Sequence, residues 1–204
     1  MAYLKEAFWD PCCLAYMSMM STSKCPTESY VDDTKMYMCF SDKECDSTML
    51  FINEDLERIR NWCFQNLLLI YPGKTQLMVY GSRRMVAKLP KCFQLSLLGK
   101  TLSPNESIKD LGVTFDCNLN FNEHIIKVSA QCMSALGQIN RVKHVFNEEL
   151  LITIINSLVF SKLSYCSSVW STTSEGNIKK LQSVQNFAAR IIGELRKYDH
   201  VPQS

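Results

Sequence analysis

The amino-acid sequence predicts an α+β protein in which a mixed part is followed by an all-helical part. Two short β-prone stretches flank an Asp-Asp pair at residues 32 and 33, and a second β-prone region lies between residues 93 and 115. Helical periodicity begins near residue 47 and dominates again after residue 121. These patterns place the change from mixed to helical structure near residue 118.

Composition and charge limit the function classes. A chain of 204 residues with 47% hydrophobic residues can form one full core or two small ones. Its 22 Lys and Arg against 20 Asp and Glu leave a net charge of +2, which excludes a nucleic-acid binder dominated by electrostatics. Any contact with nucleic acid must therefore come from local patches.

The N-terminus and the apolar runs predict a soluble intracellular protein. Glu6, Asp10 and Pro11 interrupt the apolar N-terminal stretch, so it does not match a secretory signal. The longest apolar runs, 67–71 and 151–160, are too short to span a bilayer. We expect no membrane association, and the pattern leaves the choice between nucleus and cytoplasm open.

Ten cysteines are scattered along the chain without a CxxC pair. The residues His124, His144 and His200 stand in no zinc-finger spacing to them. Reduced thiols in an intracellular protein, rather than a disulfide framework or a zinc site, are the prediction.

The first β region predicts two strands around a turn at Asp32-Asp33, since Asp tolerates the dihedral angles of tight turns. A helix is predicted from Ser47 onward, with Asp46 or Ser47 as its cap. Its polar positions, Glu54, Asp55, Glu57, Arg58 and Arg60, are expected to face away from the core. Its apolar stripe is Ile52, Leu56, Ile59, Trp62 and Cys63.

After a break at Pro72-Gly73, residues 76–80 are predicted to form a strand. Strands at 93–98 and 111–115 follow, with a turn at Gly99-Lys100 and Pro104-Asn105 in the connection.

Three amphipathic helices are predicted beyond Phe121. The second begins at Asn147 and the third near Ser174. Their apolar stripes are predicted to form core: Ile125, Val128, Cys132, Leu136, Ile139 and Val142 in the first, Leu150, Leu151, Ile154, Ile155, Leu158 and Val159 in the second, and Ile178, Leu181, Val184, Ala188 and Ile191 in the third.

Adjacent carboxylates at a hairpin tip can hold a divalent metal ion, because hard oxygen ligands suit Mg²⁺. Asp32 and Asp33 are therefore the first candidates for chemistry, although such a pair is also common in solvated surface turns. The two letters alone do not decide between these interpretations.

The surrounding string SYVDDTKMYM resembles the YADDT(K/Q)LY box of reverse transcriptases, with Val31 in place of the usual small residue. Further motifs follow in the order typical of LINE-type (non-LTR, jockey-like) retrotransposon enzymes. They are Trp62, Asn66 and Lys74-Thr75; LLGKTL at 97–102; Leu111-Gly112-Val113 with Phe115-Asp116; Leu119, Phe121, His124 and Ile125; LQSVQN with AAR at 181–190; and RKYDH at 196–200. Together they cover about residues 29–201.

This resemblance implies a partial reverse-transcriptase palm, made of short antiparallel hairpins and one helix, followed by a thumb-like helical region. Residues 1–28 would be a degraded palm remnant. Residues 29–118 would hold the YVDD hairpin and a primer-contacting hairpin, and residues 119–204 the helical thumb and the start of the C-terminal region.

The resemblance also implies RNA-directed DNA polymerase chemistry with two Mg²⁺ or Mn²⁺ ions, an RNA template with a DNA primer, and dNTPs. The oligomeric state stays open. The site residues implied are Asp32 and Asp33 as catalytic metal ligands, Lys74 for the pyrophosphate, Leu111, Gly112 and Val113 for the primer, and Lys127, Arg141 and Lys143 for the nucleic-acid backbone. A solvated loop lysine, a plain strand glycine and a solvated helix face are the alternative interpretations of the last three groups.

Only 29 residues precede Tyr30, so we expect the upstream catalytic aspartate and the fingers to be absent. The hypothesis is thus a polymerase fragment that does not polymerise alone, and whether it binds metal stays open. The alternatives are a non-catalytic nucleic-acid-binding module and a helical interaction module.

Overall fold

The computed structural model describes residues 2–7, 23–30, 33–90 and 92–195. The chain divides into two compact units, Met1–Ile108 and Lys109–Ser204, called here the N-terminal and C-terminal units. The division falls at residue 108 rather than near 118, because strand β9 (Val113–Asp116) packs against the first long helix of the C-terminal unit.

The N-terminal unit contains a five-stranded sheet, and the predicted α+β class is confirmed. Its strand order is β2-β3-β1-β4-β7, with all neighbours antiparallel except β4 and β7. The bounds are Ala2–Ala7 for β1, Thr27–Tyr30 for β2, Asp33–Met38 for β3, Gln76–Val79 for β4 and Pro104–Asn105 for β7.

The two strands predicted around the Asp-Asp pair are confirmed as β2 and β3. Along β3 the burial alternates, because Thr34 and Met36 face the core while Asp33 and Lys35 are half-buried. Strand β1 was not predicted, yet it lies in the middle of the sheet between β3 and β4. The predicted short antiparallel strand pairs and helix are present, with β1 as an additional strand.

Helix α1 (Cys45–Gln65) packs on this sheet. It begins two residues before the predicted start, after a short 3₁₀ turn at Asp42–Glu44 whose Glu44 carboxylate accepts the Ser41 N–H at 2.9 Å. The predicted caps therefore lie inside the helix. The predicted apolar stripe is buried in full, whereas the prediction that Asp55 faces away is wrong: this side chain is completely buried.

The rest of the N-terminal unit follows the sequence closely. A short helix, α2 (Arg83–Ala87), precedes a hairpin of β5 (Leu95–Leu97) and β6 (Lys100–Leu102). The hairpin turn is Leu98-Gly99, one residue before the predicted position. Pro104-Asn105, expected in a connection, forms β7 along the edge of β4.

Strands β8 (Ser107–Asp110) and β9 form a hairpin, and the C-terminal unit continues as helices. The helices are α3 (Asn122–Val142), α4 (Glu148–Ile155), a π-helical segment (Asn156–Phe160), α5 (Ser161–Ser164), α6 (Ser167–Trp170) and α7 (Glu175–Ile192), with a 3₁₀ turn at Lys143–Val145.

The three predicted helical stripes form the core of this unit. Asn147 caps α4 as predicted, because its side chain accepts the Leu150 N–H at 2.9 Å. Four residues predicted as core are exposed instead: Val142, Leu150, Leu158 and Ile178. Within the described residues, no helix is both long enough and apolar enough to cross a membrane.

Candidate functional site

The carboxylate hairpin lies at one end of the central sheet. Tyr30 at the end of β2 pairs with Asp33 at the start of β3, so only residues 31 and 32 lie between the two strands. Asp33 also pairs with Ala7 of β1 on its other side. Asp32, the principal predicted metal ligand, lies outside the described residues. The structure therefore places Asp33 and leaves Asp32 as a prediction.

Strand β1 supplies no carboxylate at the position opposite Asp33. The pairing is Ala7 with Asp33, Glu6 with Thr34, and Lys5 with Lys35. The acidic residue of β1 is thus paired in register with Thr34 rather than with Asp33.

Lys74 lies at the same end of the sheet as Asp33. One row across β4, β1 and β3 consists of Gln76, Lys5 and Lys35. Asp33 comes two residues before Lys35, and Lys74 comes two residues before Gln76. Because β3 and β4 run in the same direction, both residues lie toward the same end of the sheet. Two strand spacings separate β3 from β4, roughly 10 Å. Lys74 is exposed in a turn, with its Nζ 5.8 Å from the centre of the Tyr71 ring.

Asp55 of α1 holds the segment that leads into β2. Its carboxylate accepts four hydrogen bonds from residues 23–25: Ser23 Oγ at 2.7 Å, the Lys24 N–H at 2.9 and 3.0 Å to its two oxygens, and the Cys25 N–H at 2.9 Å. Arg58 Nη1 lies 3.2 Å from the same carboxylate. This anchor fixes where β2 begins, two residues after Cys25, and so positions the hairpin that carries Asp33.

The surroundings of the anchor keep the Asp55 carboxylate charged and the Cys25 thiol protonated. Burial raises the pKa of Asp55, but the hydrogen bonds from Lys24, Cys25 and Ser23 outweigh it and hold the pKa below its ordinary value. Burial, and then the Asp55 charge, raise the pKa of the Cys25 thiol to about 12. Cys25 therefore stays protonated and does not act as a nucleophile.

Two of the three predicted primer-contact residues occupy a tight turn, and the third, Val113, begins strand β9. Leu111 and Gly112 join β8 to β9 with φ angles of 42° and 87°, so the prediction that a strand starts at Leu111 is wrong. Leu111 is 38% exposed, whereas Val113 is 3% exposed and packs with Phe121. A contact with a ligand at this hairpin would thus involve the turn and not the Val113 side chain.

Asp116 and His124, two residues of the motifs, connect β9 to α3 through hydrogen bonds. The Asp116 carboxylate accepts the N–H groups of Asn118 and Asn120, each at 3.1 Å, and that of Phe121 at 2.6 Å. His124 Nδ1 accepts the Thr114 N–H at 3.3 Å. The family-like residues Asp116, Phe121 and His124 therefore have structural roles in this chain.

The His124 contact predicts a pH-dependent stability. Burial and then the charge of Lys127 lower the pKa of His124 below its ordinary 6.5. The neutral ring is the form that accepts from Thr114, and the unfolded chain binds the proton more tightly. The stabilising contribution is thus complete above pH 6.5 and is lost as the pH falls below it. Urea unfolding of wild type and His124→Asn between about pH 7 and about pH 5 measures this.

We expect the stability of wild type to fall more steeply over that range than that of His124→Asn, whose amide oxygen can accept the same N–H at either pH. The exposed His144 supplies a matched control, since His144→Asn should follow the wild-type curve. Parallel curves for wild type and His124→Asn would contradict the prediction.

The predicted backbone-contact cations lie on or just after α3. Lys127 is exposed and its Nζ lies 2.5 Å from the Glu123 carboxylate, so its charge is partly offset. Arg141 is exposed in the last turn of the helix, and Lys143 is half-buried in the 3₁₀ turn that follows. The structure does not gather the three cations into one cluster along the helix, since fourteen residues separate the first two.

The described residues also bear on metal and thiol chemistry. Among them, no group of three or more His, Cys, Asp or Glu side chains is arranged to hold a metal ion, and Asp32 is not part of that set. The eight described cysteines carry free thiols.

Comparison with known proteins adds one distant relative. The chain is 24% identical over 194 residues to the probable RNA-directed DNA polymerase from transposon BS of Drosophila melanogaster. The match covers 92% of this chain and 20% of the relative, so the chain spans about a fifth of the length of the curated relative it matches. No protein-family model matches the chain. No solved structure matches it.

The chain is thus reverse-transcriptase-like at the level of distant sequence similarity. The resemblance drawn from the motifs is supported to that extent, and the LINE subtype rests on the motifs alone.

Proposed function

We propose that this chain is part of the RNA-directed DNA polymerase of a LINE-type, jockey-like retrotransposon. It would supply the YVDD hairpin of the palm, the primer-contacting hairpin and a thumb. Its ligands would be an RNA template paired with a DNA primer, and dNTPs. The observation that supports the proposal is the pairing of Tyr30 with Asp33 beside a central strand, because it places Asp33, the sequence neighbour of Asp32, at one end of a helix-backed sheet.

The residues present suit a divalent metal ion in part. Asp32 and Asp33 would hold Mg²⁺ or Mn²⁺ through hard oxygen ligands, and the metal would supply charge stabilisation of the transferred phosphoryl group. The pairing of β2 with β3 fixes the backbone position of Asp33. Lys74, at the same end of the sheet, would neutralise charge on the pyrophosphate.

We further propose that the chain does not turn over by itself. Nucleotidyl transfer with two metal ions requires carboxylates from more than one strand. The neighbouring strand β1 presents Ala7 opposite Asp33, so it adds no metal ligand at that position. The intact activity would need a further acidic residue from a second strand.

Primer extension tests the catalytic role of Asp32. We expect no extension by the chain alone with Mg²⁺ or Mn²⁺, and extension when it is joined to the upstream palm segment of a related transposon polymerase. In that chimera Asp32→Ala should lower the rate by at least about 100-fold, since a lost charge-stabilising contact typically costs that much. The matched control is Asp46→Ala, an exposed carboxylate on α1.

Equal extension by the wild-type and Asp32→Ala chimeras would remove Asp32 from the mechanism. Binding of a primer–template duplex without extension by the wild-type chimera would favour the non-catalytic nucleic-acid-binding alternative. Absence of any salt-dependent affinity for nucleic acid would favour a helical interaction module instead, because phosphate contacts weaken steeply as salt rises.

A further inference from the structure

The turn between β8 and β9 has an unusual residue at its first position. Leu111 adopts φ 42° and Gly112 adopts φ 87°. An L-amino acid with a Cβ pays about 1 kcal/mol to adopt the left-handed region, and leucine has no polar group to compensate locally. A contact from outside the turn can offset this cost.

Tyr165 supplies that stabilisation from the segment between α5 and α6. Its hydroxyl donates to the Leu111 carbonyl oxygen at 2.8 Å. Its ring covers Gly112 so closely that a Cβ there would lie 3.2 Å from Tyr165 Cε1. Both residues of the turn are thus contacted by one side chain, which leaves little room for a Cβ at position 112.

Tyr165 is itself held in place by its backbone. Its N–H donates to the Ser161 carbonyl at 3.1 Å, and its own carbonyl accepts Trp170 Nε1–H at 3.0 Å. Trp170 is buried in the cluster that contains Val113, the residue directly after the turn. The turn and the tyrosine that contacts it are therefore fixed to the same small core.

We propose that Tyr165 is a positioning residue for nucleic-acid binding. It touches no ligand itself but holds the Leu111-Gly112 turn in the one conformation that meets the primer strand near its 3′ end. The inference rests on the proposed function and adds a residue that none of the sequence motifs single out. The Tyr165 hydrogen bond contacts a leucine that is 38% exposed and in a costly backbone conformation.

The test uses Tyr165→Phe, which removes the hydroxyl and keeps the ring over Gly112. Fluorescence anisotropy measures binding of the full chain to two RNA–DNA duplexes of equal length, one with a recessed DNA 3′ end and one blunt. We expect the wild type to prefer the recessed end. Tyr165→Phe should bind it about fivefold more weakly, the usual effect of one lost hydrogen bond, and should bind the blunt duplex as before.

Ser171→Ala is the matched control, because it removes another exposed hydroxyl-to-carbonyl hydrogen bond of the same unit, to Ser168 at 3.1 Å. It should bind both duplexes as the wild type does. Amide hydrogen exchange of residues 111–113 gives a second measurement, and it should be faster in Tyr165→Phe than in either of the other proteins.

The outcomes separate the two proposals. A Tyr165→Phe protein that binds both duplexes like the wild type, or that loses affinity for both equally, would overturn the positioning role, since a merely structural role would not discriminate between duplex ends. Failure of the wild type to bind either duplex would overturn the proposed function, and the positioning role with it.

Discussion

Replacing Asp55 by alanine should lower the free energy of unfolding of the N-terminal unit by about 4 kcal/mol, the cost expected when a buried, hydrogen-bonded charge network loses its central member. The carboxylate is fully buried and accepts from Ser23, Lys24 and Cys25. Without it, two backbone N–H groups lose their acceptors and Arg58 keeps only its more distant ion pair with Glu54 at 3.6 Å. Urea unfolding followed by Trp62 fluorescence measures the effect.

The matched control for this change is Glu57→Ala on the same helix. Glu57 forms an ion pair with Arg60 at 2.5 Å but is half-exposed, so its loss should cost no more than about 0.5 kcal/mol. Equal costs for Asp55→Ala and Glu57→Ala would contradict the anchoring role. We also expect the difference between wild type and Asp55→Ala to shrink as the pH falls below the ordinary Asp value of 3.8, because the folded pKa is lowered.

The second large effect is expected from Asp116→Ala, at about 3 kcal/mol in the C-terminal unit, since three backbone N–H groups share this one acceptor. The loop it stabilises contains Leu119 and Phe121, both in left-handed backbone conformations with φ of 55° and 57°. Helix α3 has no side-chain cap at Phe121, so the Asp116 carboxylate takes that role through the Phe121 N–H. Urea unfolding followed by Trp170 fluorescence measures the change.

Glu123→Gln is the matched control for Asp116→Ala. It removes a carboxylate charge from the first turn of α3 and weakens only an exposed ion pair with Lys127, so it should cost about 0.5 kcal/mol. Asp116→Asn should fall between the two, because an amide offers one acceptor oxygen instead of two. An Asp116→Ala protein as stable as Glu123→Gln would show that the loop is held by other contacts.

The sequence predicted the elements whose side chains repeat regularly. Helices α1, α3 and α7 each carry an apolar stripe long enough to bury a helix face, and their starts were found within a few residues. Asn147 was recognisable as a cap because its side chain acts within its own turn. Local patterns of this kind are visible in one stretch of sequence.

The features that could not be predicted from the sequence depend on contacts between residues that lie far apart in the chain. Strand β1 has six residues with little apolar alternation, and its place between β3 and β4 comes from pairing with both. In the sequence, Asp55 looks like any polar residue on the exposed side of a helix. Its burial depends on hydrogen bonds from residues 23–25, which only the structure shows. Leu111 was assigned to the strand that follows it, whereas its left-handed backbone places it in the turn.

The candidate site was predictable to a similar degree. The motif around Asp33 predicted a hairpin, which the structure contains, and the order of the strands brings Lys74 to the same end of the sheet. The role of Tyr165 could not be found in this way, because its partner Leu111 lies 54 residues earlier in the chain. No local spacing relates the two.

The π-helical segment sets a strict requirement on chain length in the C-terminal unit. The buried residues Leu151, Ile155, Val159 and Leu163 recur every four positions, and in a regular α-helix such a row would rotate by about 40° at each step. The wider turns at Asn156–Phe160 cancel that rotation and keep the row facing one way. An insertion or deletion of a single codon there would turn the Leu163 side chain toward solvent. We therefore expect the length of this segment to be kept wherever selection acts on the gene.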